Sequence, residues 1–166
     1  MAVTYTPISS QTLSSATSSV TFSSISSTYT DLVLIVSAQS ASTNVDLAMR
    51  LNSDTGTNYS NTRLYGTGSA AGSERGTNIS YIPLDWGIAS STSGYFGTTI
   101  INILNYSNTT TYKTNISRRN LAATGVDTSV ALWRSTAAVS TIYLYERNGA
   151  NFAIGSSFTL YGIKSA

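Results

Sequence analysis

The 166-residue chain carries a net charge of +2, with 10% charged and 41% hydrophobic residues, and contains 29 serines and 25 threonines. It is too apolar for a disordered Ser/Thr linker and too weakly charged for a phosphate-tracking surface, where several Lys or Arg must release counterions together. The absence of His and Cys removes Ser-His-Asp triads, Cys nucleophiles and ordinary zinc or haem sites.

Hydroxyl-rich but apolar sequence suits β-sheets, because Thr is β-branched and Ser or Thr can occupy the wet face of a strand. Met1 to Gln11 shows no basic segment followed by an apolar stretch, so no secretory signal is read there. Strands are then expected in chain order, the first over Ser18 to Ile25. In Asp31 to Gln39, Leu32, Leu34 and Val36 alternate with Val33 and Ile35, so this segment is apolar on both faces, as a central or interface strand would be. Leu32 to Val36 is also the longest aliphatic run, far short of a membrane span. In Val45 to Asn52, Val45, Leu47, Met49 and Leu51 face one way and Asp46, Arg50 and Asn52 the other, which is the pattern of a half-buried strand.

After a turn at Asp54-Thr55-Gly56, a strand is expected over Tyr59 to Tyr65, then a long Gly/Ser-rich loop over Gly66 to Asn78. Ile79 to Leu84 reads as a strand and Gly87 to Gly94 as a second long loop. Thr98 to Tyr106, Thr111 to Arg118, Thr128 to Arg134, Val139 to Arg147 and Phe152 to Ile163 complete the set, with a turn at Thr124-Gly125. Asn148-Gly149 is the strongest hairpin signal and is expected to join the last two strands. No window of ten residues keeps helical spacing. The reading is one all-β domain over residues 1–166, an antiparallel β-sandwich with a jelly roll as its expected arrangement.

Chemistry beyond that is sparse. The seven acids, Asp31, Asp46, Asp54, Glu74, Asp85, Asp127 and Glu146, sit mostly at strand ends and turns, so a glycosidase pair is not read from them and no enzyme is expected. Gly66 to Gly72 superficially resembles a phosphate-cradling loop, but Ser73-Glu74-Arg75-Gly76 follows instead of a helix, so no nucleotide or other cofactor is assigned. Five Asn-x-Ser/Thr triplets are no more than this composition supplies. Eleven tyrosines stand out. Tyr and Trp make wide contacts at low entropy cost; Tyr81, Trp86, Tyr95, Tyr106 and Tyr112 are therefore the expected partner-contact residues. Arg118-Arg119 is either part of that patch or a solvated strand end. Trp133, in Val130-Ala131-Leu132-Trp133-Arg134, is expected in the interior or at a subunit interface.

Thr28 to Leu34, Leu51 to Ser60, Thr62 to Gly66, Leu132 to Ala138 and Phe158 to Ile163 together resemble a family of small structural proteins of tailed-phage virions. The resemblance implies a virion component and brings no catalytic residues. A capsid decoration (cement) protein bound to the major capsid protein or another virion protein is one expectation; a tail-associated, glycan-binding receptor module is the other. The lack of a shaft repeat favours decoration. Neither nucleic acid nor membrane is expected as a partner. The two-faced apolar strand at Leu32 to Val36 predicts self-association, as a trimer.

Overall fold

The computed structural model describes residues 5–43 and 46–164. These form twelve strands and, among the described residues, no helix. In chain order the strands are β1 (Tyr5–Thr12), β2 (Ser19–Phe22), β3 (Asp31–Ala38), β4 (Asp46–Leu51), β5 (Tyr59–Gly66) and β6 (Ala71–Ile79). Then come β7 (Ile82–Asp85), β8 (Gly97–Leu104), β9 (Lys113–Leu121), β10 (Gly125–Trp133), β11 (Ile142–Glu146) and β12 (Ser157–Ile163).

All pairings between these strands are antiparallel. An eight-stranded sheet runs β1-β12-β3-β8-β9-β10-β5-β6, and a four-stranded sheet runs β2-β11-β4-β7. The two form a sandwich-like pair around one apolar cluster. Period-two alternation sends Leu32, Leu34 and Val36 of β3, Ile101 and Ile103 of β8, and Phe158 and Leu160 of β12 inward. Leu47, Met49 and Leu51 of β4, Ile82 and Leu84 of β7, and Ile142 and Leu144 of β11 meet them from the smaller sheet. That cluster is the hydrophobic driving force of the fold.

Several expectations change. Val45, expected to open the strand now seen as β4, lies outside the described residues. β1 was not foreseen, and the expected Gly66 to Asn78 loop is a tight turn, closed by Thr67 N–H donating to the Ala70 carbonyl at 2.8 Å, followed by β6. β6 is an edge strand exposed on both faces, so it lacks the apolar alternation by which a strand is recognised. The segment Ile79 to Leu84 breaks at Ser80-Tyr81, where the chain leaves the large sheet for the small one. Asn148-Gly149 does make a turn, with Gly149 at φ +84°, but it joins no hairpin, because β11 and β12 belong to different sheets. Asn105, at φ +48°, ends β8 and turns Tyr106 into the core.

Trp133 closes one end of the interior at 2% exposure. Its ring stacks on Tyr59 at 6.3 Å with an interplanar angle of 16°, and its Nε1 donates to Asp54 Oδ2 at 2.7 Å. The buried Tyr59 hydroxyl donates to the Leu51 carbonyl at 3.2 Å, so β4, the Asp54 turn, β5 and β10 are tied at one point. Replacing a buried Trp with Ala typically costs about 3–5 kcal/mol. Trp133→Ala should lose stability of that order in urea melts, enough to unfold a domain of ordinary stability.

Candidate functional site: a two-faced extension of the large sheet

β9 and β10 split their side chains between two unlike surfaces. Lys113, Asn115, Ser117 and Arg119 of β9 point inward, as do Asp127 and Ser129 of β10, and all six are buried. The Thr124-Gly125 turn sets the hairpin register that places Asp127 opposite Arg119. Arg119 Nε lies 2.5 Å from Asp127 Oδ1, and Arg63 of β5 donates from Nε to Asp127 Oδ2 at 3.0 Å. One buried carboxylate therefore joins two buried guanidinium groups.

The ionic group continues to the small sheet. Arg119 donates to the Pro83 carbonyl of β7 at 3.1 Å, and Arg63 stands 3.6 Å from Asp85. Arg147 lies 3.6 Å from the same Asp85 and pairs with Asp46 of β4. Glu74 of β6, largely exposed, is 3.5 Å from Arg63. Burial first, and then the nearby Asp46 charge, push the Asp85 carboxyl above its usual range despite Arg147 and Arg63. Trp86 caps this group. Arg63 lies over its ring at 4.5 Å and over Tyr65 at 5.0 Å, and the two rings meet edge to face at 5.6 Å. Trp86 holds φ +63°, a conformation rare for a bulky residue and maintained only where packing over-determines it.

The opposite face is open to solvent and sets aliphatic side chains among Thr, Asn and Arg118. Register aligns Ile35, Ile100, Arg118, Thr128 and Leu64 in one row across β3, β8, β9, β10 and β5, roughly 19 Å from end to end at ordinary strand spacing. Val126 stands on one side of that row, and Ile116 and Val130 on the other. Their exposures are high for aliphatic side chains: Val126 60%, Leu64 59%, Val130 49% and Ile116 38%. A shallow trough of about 550 Å³ follows the row between Ile100 and Leu64, with Arg118 in its lining. Arg118 has no hydrogen-bond or ion-pair partner among the described residues.

The expected contact residues do not come together on this face. Arg118 is on it; Arg119, its neighbour in sequence, is buried at 2% and serves the ionic group. Tyr106 has no exposed surface and is a core residue: its hydroxyl donates to the Ser26 carbonyl and accepts from the Tyr29 N–H. Trp86 is half-buried over Arg63. Tyr81, half-buried, accepts from Arg147 at 2.7 Å on the smaller sheet's side. Tyr95 accepts from the Ala123 N–H at 3.4 Å, and Tyr112 is exposed at 54% beyond the end of β9. Leu64, Ile116, Val126 and Val130 were not singled out from the sequence. A partial signal existed in β10, where Asp127 and Ser129 alternate with Val126, Thr128 and Val130; in β9 the outward residues are Thr114, Ile116, Arg118 and Asn120, and Ile116 alone is aliphatic. Counting back from the Thr124-Gly125 turn pairs Asp127 with Arg119 and so assigns the aliphatic set to the outside.

No protein-family model matches the sequence, and no curated protein matches it. Among the described residues, no group of three or more His, Cys, Asp or Glu is placed to hold a metal ion. What the geometry provides is an exposed surface with aliphatic side chains around Arg118.

Removing one partner of a buried ion pair typically costs about 3–5 kcal/mol, because the other charge is left uncompensated. Asp127→Asn should lose that much in urea melts, whereas Arg118→Ala should stay within about 0.5 kcal/mol of the parent. Burial raises the Asp127 carboxyl as well, against the pull of Arg119 and Arg63, but those pairs close at 2.5 and 3.0 Å; Asp85 stands 3.6 Å from its arginines and should behave differently. Its raised folded-state pKa means that the folded protein holds this proton more tightly than the unfolded chain, so its contribution grows as pH falls through that pKa. Asp85→Asn is accordingly expected to match or exceed the parent at neutral pH, and melts at a series of pH values should show the difference shrinking on acidification.

Proposed function

We propose that the protein is a structural component of a tailed-phage virion: a capsid decoration (cement) protein that docks on the assembled head, against the major capsid protein or another virion protein, and stabilises it. The observation that carries this reading is the aliphatic outer face of β8, β9, β10 and β5. Contiguous exposed apolar surface of this kind marks interaction sites, and here rigid sheet backbone presents it. The role is structural rather than catalytic.

The strand order supports a jelly roll. With β5, β6, β9 and β10 set aside, β1-β12-β3-β8 faces β2-β11-β4-β7. Strands then pair in nested fashion, β1 with β12, β2 with β11, β3 with β8 and β4 with β7, as in a long hairpin rolled up on itself. Viral capsid and lectin domains use this arrangement, although a fold alone never assigns a function. The two hairpins β5-β6 and β9-β10 are additions on the β8 side, and they carry most of the docking face. Self-association as a trimer belongs to the same proposal, since β1 and β6 leave the large sheet with two open edges.

One observation favours the tail-associated, glycan-binding alternative. Tyr143 and Tyr145 on the small sheet stack at 5.2 Å, with Arg50 4.8 Å over the Tyr145 ring. Aromatic groups of this kind can take a sugar ring.

A ligand bound only to the assembled state stabilises it by about 2.7 kcal/mol at a hundredfold excess over its dissociation constant. Particles without the protein should therefore release DNA at a lower temperature than particles carrying it, read by dye-accessible DNA during heating. Labelled antibody should decorate heads; equal heat survival together with tail labelling would transfer the assignment to the receptor module. Light scattering of the purified protein should give the mass of three chains.

A further inference from the structure

We infer that the outer face of the β8-β9-β10-β5 segment takes a protein surface of a different chain, in which a carboxylate is set among aliphatic side chains and meets Arg118. The inference rests on the docking face proposed above and names the chemistry of its occupant.

Arg118 stands in the middle of the face, between Ile100 and Thr128 across the strands and next to Ile116 along its own side. Its guanidinium has five donors and no partner among the described residues. Closing this face against another surface without supplying an acceptor would strand that charge in an apolar contact, at high cost. A carboxylate both accepts from the guanidinium and neutralises it, so the occupant that fits best brings an acid. A second arginine stands at this side of the segment: Arg75 of β6 lines the neighbouring hollow beside Val130 and Thr62. The face is thus aliphatic and cationic.

A second copy of this chain is a poor source of the acid, because all seven of its carboxylates have internal partners and only Glu74, 3.5 Å from Arg63, is largely exposed. Asp46, Glu74, Asp85 and Asp127 belong to the ionic group. Asp31 accepts from the Asn105 N–H at 2.7 Å, Asp54 from Trp133, and Glu146 from the Ala150 N–H at 2.8 Å. Two copies docked symmetrically through this face would also set Arg118 against Arg118. Nucleic acid is a poor occupant, since two arginines among valines and leucines give too few phosphate contacts. A sugar is a poor one too, because Tyr65, the aromatic residue lining the trough, is already engaged by Trp86 edge to face and by Arg63. The remaining fit is an Arg-centred contact with an aliphatic surround, the composition of a binding hot spot, with the guanidinium gripping a carboxylate in a charge-assisted pair.

Two fluorescein-labelled, end-blocked nonapeptides provide the probe, one alternating Val with Glu and the other Val with Lys. Fluorescence anisotropy should show the Glu peptide binding at least about tenfold more tightly than the Lys peptide, with the difference narrowing as salt is raised. Arg118→Glu, confirmed as folded by its urea melt, should reverse that preference. Val126→Ser should weaken both peptides, which separates the aliphatic contribution from the charge. Equal affinity for the two peptides, or a preference unmoved by Arg118→Glu, would overturn the inference. So would light scattering in which Arg118→Glu breaks up an oligomer of the parent protein, because the occupant would then be a second copy. Absence of the protein from purified virions is a separate result, which removes the decoration reading and leaves the peptide preference standing.

Discussion

Asp127 is the charge around which the added strands are organised. The inner faces of β5, β9 and β10 carry Arg63, Arg119, Ser117 and Ser129, which cannot join an apolar core unless their polar groups are satisfied within it. Asp127 accepts from Arg63 and pairs with Arg119, and the same two arginines reach Asp85 and the Pro83 carbonyl on the small sheet. A buried ion pair often adds little net stability compared with well-packed apolar residues. Its value here is geometric: fixed donor directions set where the extension lies against β7, a register that interchangeable methyl groups would specify less tightly.

That arrangement also accounts for the unusual surface. In a half-buried strand the pleat sends alternate residues to opposite faces, so with polar groups inward in β9 and β10 the outward positions hold Ile116, Val126 and Val130 beside Arg118, Asn120 and Thr128. The outcome inverts the ordinary polar-out pattern over this part of the sheet. β-Branched side chains on a sheet have few rotamers to lose, so a partner closing over them forgoes little conformational entropy. Trp86, held at positive φ beneath Arg63, adds a rigid support to the same segment.

The all-β class and most inner-sheet strands were legible because their residues alternate against a large apolar core, as in Leu32, Leu34 and Val36 or in Leu47, Met49 and Leu51. β1 and β6 were not, since their side chains are mostly open to solvent and carry no apolar rhythm. The Asn148-Gly149 pair specifies a local bend, but nothing local says which sheet the next strand will join. Aromatic content marked no single surface: Tyr106 is buried and Trp86 half-buried, while the outer face of β8, β9, β10 and β5 carries Leu, Ile and Val among Thr, Asn and Arg118. The adjacent arginines 118 and 119 illustrate the limit. Their opposite fates follow from strand parity once the hairpin register is known, and that register was readable from the Thr124-Gly125 turn, although the reach of Arg63 to Asp127 from another strand was not.

The position of β12 has a bearing on how the chain is made. Ser157–Ile163, the last of the twelve strands, fills the slot between β1 and β3, pairing with both. Until it is delivered, β1 has no neighbour and the inner side of β3 lacks Phe158 and Leu160. Until then Leu32, Leu34 and Val36 lack the share of their cover that Phe158 and Leu160 give in the finished core. Closure on this scale joins segments far apart in sequence, which makes folding slow and leaves the nascent chain open to misassociation. Few charges are present to keep such a chain dispersed, so the abundant serine and threonine hydroxyls carry much of that burden before the sheet is complete.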